Sequence, residues 1–228
     1  MKKQLLKSVL IAMTGIGLLA GSAIADPALP SGGGWDWNSS DYWTITDIGS
    51  GQAEFEMRFR NPGAAYDSSF GLYNIDGSGN VTNQLLVFDK NAQGGDPSGD
   101  FQSVWFKNTG SGWQASLDAA NWVTFDNVFG FYSDVYVGSD NSIDWTFYTD
   151  ASLNTDGNEH FAIAFKDPNS AFIFFEDRMG YGIWNTSDQY DYMVGSTDIT
   201  PVPEPTTMLF FGAGLLGLAG VARRKSSR

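Results

Sequence analysis

Ala53-Glu54-Phe55-Glu56-Met57-Arg58-Phe59-Arg60 alternates apolar and charged side chains without a break. A period of two places the apolar set on one face and the charges on the other, the pattern of a strand with one buried side. Asn61-Pro62-Gly63 ends it, because proline has no amide for a ladder and glycine favours a turn. The same reading extends outward in both directions. Strands are expected at 70–75, 84–88, 102–107, 112–117, 128–137, 143–148, 159–166, 171–175 and 190–194. Turn-forming clusters such as Asp76-Gly77-Ser78-Gly79-Asn80 and Asn108-Thr109-Gly110-Ser111 separate them. Turns recurring at roughly 8–12 residues are typical of sandwiches and barrels. No long helical period and no solenoid or propeller repeat interrupts the series. The expected fold is all-β, an antiparallel β-sandwich, with the jelly-roll as one form of it.

Composition narrows the function. The 228 residues include 13 basic and 26 acidic side chains. Between Asp26 and Pro203 the count is six basic against 25 acidic, a net charge of −19 for that stretch. Such a surface repels nucleic acid and anionic lipid and attracts divalent cations. Aromatic residues make up 15% of the chain, which argues against a disordered acidic segment. There is no cysteine and one histidine, His160, which excludes thiol catalysis, Cys-ligated zinc and multi-His metal centres.

Both ends read as addresses. Met1-Lys2-Lys3 with Lys7 precedes an apolar core from Ser8 to Ala20, and Ala23-Ile24-Ala25 is a small-x-small cleavage site before Asp26. These are the three parts of a secretory signal peptide over 1–25. At the other end come Pro203-Glu204-Pro205, an apolar, glycine-bearing run over 206–222, and Arg223-Arg224-Lys225. As a helix that run is roughly 25 Å long at about 1.5 Å per residue, the short limit for a membrane span. The basic cluster is expected to stay cytoplasmic. This order resembles the PEP-CTERM sorting signal of Gram-negative bacteria. The resemblance implies export, transient anchoring in the inner membrane through the C-terminal helix, and recognition by an exosortase at Pro203, Glu204, Pro205, Arg223 and Arg224.

The interior has a second resemblance. Phe70-Gly71-Leu72-Tyr73-Asn74, Asn154-Thr155-Asp156-Gly157 with His160, Phe175-Glu176-Asp177, and Asp188-Gln189-Tyr190-Asp191-Tyr192-Met193-Val194 follow one another. Together they resemble an uncharacterised domain family of secreted bacterial proteins, whose closing motif has the form Asp-x-Asp-Tyr-Asn-Asp-Met-Val. Here Gln189 and Tyr192 stand where that pattern expects carboxylates, so any ion the motif holds would be held more weakly, or not at all. Read chemically, Glu176, Asp177, Asp188 and Asp191 form an oxygen-only cluster suited to calcium. The competing reading is solvated loop carboxylates and Asx turns. The loops at 74–80 and 150–156 space oxygens in a similar but weaker way.

Catalytic signals are poor. Glu54 and Glu56 share a strand face, and acidic pairs arise by chance in so acidic a chain. His160 has no Gly-x-Ser-x-Gly elbow to serve. Trp35, Trp37, Tyr42 and Trp43 cluster near the start, and aromatics there either pack in a core or stack on sugars.

The expected organisation is a signal peptide over 1–25, a flexible linker over 26–34, a β-sandwich over 35–200 and a sorting signal over 201–228. The expected function is that of an exported, non-enzymatic surface or matrix protein, its expected partners being the secretion machinery, an exosortase and, in the matrix, exopolysaccharide. A carbohydrate-binding adhesin is the alternative, and a secreted glycan hydrolase a weaker one.

Overall fold

The computed structural model describes residues 29–31, 34–46, 51–60, 66–92, 100–167, 170–184 and 190–202. The signal peptide and the apolar run lie outside them. Among the described residues, no helix is long and apolar enough to cross a membrane.

Among the described residues fifteen strands follow one another: β1 (Asp36–Asn38), β2 (Trp43–Ile45), β3 (Gln52–Arg60), β4 (Asp67–Ser68), β5 (Phe70–Ile75), β6 (Val81–Phe88), β7 (Asp100–Asn108), β8 (Trp113–Ser116), β9 (Val123–Thr124), β10 (Val128–Tyr136), β11 (Trp145–Tyr148), β12 (Phe161–Asp167), β13 (Ser170–Phe175), β14 (Tyr192–Thr197) and β15 (Ile199–Pro201). They build two antiparallel sheets. One runs β1-β12-β13-β14-β3-β7-β8-β9; the other runs β15-β2-β10-β5-β6, with β11 and β4 also paired to β10. Runs such as β12-β13-β14 and β7-β8-β9 keep consecutive strands side by side in one sheet. These runs are meanders, and between them the chain crosses from one sheet to the other, as at β2–β3, β6–β7, β9–β10 and β14–β15.

The alternation works as its period requires over 53–58, where side-chain burial is described. Ala53, Phe55 and Met57 are buried, while Glu54, Glu56 and Arg58 stay partly exposed, Arg58 pairing with Glu56 at 2.5 Å. The core between the sheets is aromatic: Phe70 stacks on Phe131 at 5.6 Å and Phe175 on Tyr192 at 4.8 Å. Each fully buried side chain of this size contributes about 1.5–3 kcal/mol.

β13 departs from alternation because it is buried on both faces. Ile173 and Phe175 point into the main core, while Phe172 and Phe174 belong to a second cluster with Ala162, Ile183, Tyr190 and Met193. Trp35 and Trp37 lie over that cluster, Trp35 edge-on to Phe172 at 5.2 Å. Leu29, from the stretch expected as a linker, also packs there. The last strand, β15, pairs with β2 and ends at Pro201, at the margin of the sheet where a residue lacking an amide is tolerated.

Candidate cation site at the ends of β13 and β14

Phe175 and Tyr192 are the final register pair of β13 and β14. The residues just beyond them therefore meet. Glu176-Asp177 leaves one strand as Asp191 enters the other, and the Asp191 amide donates to the Phe175 carbonyl at 3.0 Å. One carboxylate oxygen from each of Glu176, Asp177 and Asp191 lies within 4.8 Å of the other two. All three side chains are buried, at 1%, 2% and 4% exposure. Asp188, the fourth residue expected here, lies outside the described residues.

Ser68 of β4 was not anticipated. It comes from far back in the chain and its hydroxyl donates to Asp177 Oδ2 at 3.3 Å. A two-residue strand has no periodicity to reveal it. Backbone groups also turn inward: the Asp177 amide donates to Asp191 Oδ2 at 3.4 Å, and the Arg178 amide to Glu176 Oε1 at 3.1 Å. Burial pushes the Asp177 carboxyl up to about 10, reinforced by the charges of Asp191 and Glu176 and opposed by the Ser68 hydroxyl. Carboxylates this close and this dry cannot all ionise unless a cation sits among them or protons are retained.

Behind the cluster stands a polar prop. The Glu176 amide donates to the His160 carbonyl at 2.9 Å, and the Glu176 carbonyl faces His160 Nδ1 at 2.9 Å. The His160 Nε2 meets Asp156 Oδ2 at 3.1 Å, and Phe147 stacks on the imidazole at 3.5 Å. Burial lowers the His160 pKa, against the opposing pull of the Glu176 carbonyl and Asp156. Burial would raise Asp156, but hydrogen bonds from the Gly180 and Asn158 amides, the Asn158 side chain and His160 hold it down, to about 2. His160 thus orients the strand end that presents Glu176.

The other oxygen-bearing loops use their oxygens internally. Asp76 Oδ1 accepts from the Ser78 and Asn80 amides at 2.8 and 3.0 Å. Asp150 caps the short 3-10 turn at Ala151–Leu153 and accepts the Tyr42 hydroxyl at 2.7 Å. Asn154 Oδ1 accepts the Tyr148 amide at 2.7 Å. These are Asx turns and caps. Glu54 and Glu56 likewise engage Gln52 and Arg58 on the sheet face.

Comparison with known proteins adds one finding. Residues 201–225 match the PEP-CTERM protein-sorting motif. The match spans Pro203, Glu204, Pro205, Arg223 and Arg224, all outside the described residues. It marks the chain for export sorting to the cell envelope or surface through an exosortase. No curated protein and no solved structure matches.

Proposed function

We propose that this is a non-enzymatic protein of the cell surface or extracellular matrix, associated with exopolysaccharide or biofilm, whose sandwich is fastened by calcium at Glu176, Asp177 and Asp191. The destination rests on the sorting motif at 201–225. The calcium reading rests on one observation, the convergence of three buried carboxylates at the ends of adjacent strands.

The donor set fits a hard cation. It contains only oxygen, and calcium accepts six to eight oxygen ligands in loose geometry, whereas magnesium demands a near-ideal octahedron. Bidentate carboxylates and the Ser68 hydroxyl supply further oxygens. Extracellular modules bind calcium at about 0.1–1 mM, so a site with few ligands suffices outside the cell. The role is structural: a cation cancels the mutual repulsion of the three groups and ties β13 to β14. The carboxylates are packed against the core and not ranged across a groove, which supports a non-enzymatic reading over a hydrolase.

Calorimetric titration of the exported domain with calcium, paired with melting curves in calcium and in chelator, tests this. Saturable binding and a higher melting temperature in calcium are expected. Identical curves would remove calcium from the reading and leave the sorting assignment intact.

A further inference from the structure

We infer that the pocket between Trp37 and Trp184 binds an uncharged pyranose residue of a polysaccharide. The inference names a ligand class for the matrix association proposed above and rests on that reading only for where the polysaccharide comes from.

The pocket has a volume of about 130 Å³ and is open to solvent on one side. It opens beside β1 and the start of β12. Phe161 and Ile163 form its apolar base, and Trp37 and Trp184 stand at its side. Trp184 is 52% exposed, an unusual position for the largest aromatic side chain in a monomer. It is nonetheless fixed. Its indole N–H donates to Glu159 Oε2 at 2.6 Å, and its ring meets Trp37 edge-on at 5.4 Å. An exposed ring held in one orientation has little entropy left to lose on stacking, which favours binding.

The polar groups select the ligand. Asn38, Ser40, Asp41 and Glu159 line the same pocket. Their oxygens accept hydrogen bonds from hydroxyl groups, and an indole face accepts the apolar C–H face of a sugar ring. Among the described residues no lysine or arginine lines the pocket, and the chain carries a net charge of −13. A carboxylated or sulfated sugar would enter beside two carboxylates without a counter-charge, so the acidic glycans are excluded on electrostatic grounds. A purely apolar ligand would cover the polar atoms of the lining without offering them a hydrogen bond. An uncharged, hydroxyl-bearing ring meets both demands.

The test is titration of neutral glucan and galactan oligosaccharides against the exported domain, read by tryptophan fluorescence, with polygalacturonate as the acidic arm. Binding of a neutral oligosaccharide, no binding of polygalacturonate, and an affinity about tenfold weaker in Trp184→Ala at an unchanged melting temperature are expected. Glu159→Ala, which releases the indole, should weaken binding in the same direction. Equal affinity in the wild type and Trp184→Ala, preference for the acidic polymer, or silence of every neutral oligosaccharide overturns the inference. Cell fractionation separates it from the broader reading: a Trp184→Ala protein that stays with the matrix leaves matrix association standing while the pocket assignment fails.

Discussion

Tyr73 lies across the backbone of Gly130, its direct partner on β10, and Tyr132 lies in the same way across Gly71 on β5. A Cβ at either glycine would collide with the facing ring. Tyr148 of β11 then closes against Tyr73 edge-on at 4.9 Å. Two glycines that look like weak points in strands are the seats of two rings.

Alanine at either seat should therefore destabilise the protein, although alanine usually gains over glycine in a strand. Overpacking costs about 1–3 kcal/mol. Urea denaturation of Gly71→Ala and Gly130→Ala should show a lowered midpoint at unchanged slope. A midpoint equal to the wild type would mean the rings move aside freely.

Asp177→Asn separates the cost of the carboxylate cluster from its use. Without calcium, the amide replaces a carboxyl that must take up a proton on folding, so near neutral pH the variant avoids that cost and should melt higher than the wild type. With calcium, the wild type should gain about 2.7 kcal/mol at a hundredfold excess over its dissociation constant. The variant should gain little. A variant that gains as much as the wild type in differential scanning calorimetry would place calcium elsewhere.

Asp156 gives an acid-side prediction. Its folded pKa, about 2, lies below the ordinary aspartate value. A depressed carboxylate adds stability above the unfolded pKa, about 3.9, and loses it as pH falls through the folded value. Melting temperature should thus decline between roughly pH 4 and pH 2, with a shallower decline in Asp156→Asn. The Asp156 side chain is 13% exposed, so solvent screens its hydrogen bonds only in part and the difference should be resolvable. Parallel profiles for the two proteins would contradict it.

Asn74 is buried, and its amide donates to the Val128 and Asp126 carbonyls at 2.8 and 3.3 Å while Oδ1 accepts the Asp126 amide at 2.9 Å. Asn74→Ala strands those backbone groups, at about 1–3 kcal/mol for a buried polar group left unsatisfied. Hydrogen exchange at Asp126 should accelerate in the variant. Unchanged protection would show that another group closes the loop.

Replacing Pro203, Glu204 and Pro205 with alanine should block sorting while leaving the fold intact. Intact-mass measurement on cell fractions should find the uncut tail in the variant and a shortened chain in the wild type. Identical masses would separate the motif from processing.

Long strands with one wet face were legible because Phe55, Met57 and their like repeat at two. β12 and β13 were legible for the opposite reason, a continuous apolar run. The short strands β1, β2, β4, β9 and β15 were not, since two or three residues cannot display a period. At the cation site, Glu176, Asp177 and Asp191 could be suspected from their clustering in the chain. Ser68 could not, because only the pairing of β4 with β10 brings it near. The seating of the Trp184 indole on Glu159 left no trace in sequence spacing either.

Pro201 closes β15, and the next amide, Val202, is still bonded to the Tyr42 carbonyl at 2.9 Å. Pro203, Glu204 and Pro205 alone separate Val202 from Thr206, where the apolar run begins, a reach of at most roughly 14 Å over the four steps at about 3.6 Å each. The matched sorting motif, residues 201–225, thus begins on the sheet itself, since Pro201 and Val202 belong to both. An exosortase that acts on this motif therefore meets a stretch whose first two residues are held by the β2–β15 rim, and the grip of that rim bears on how readily the motif is engaged.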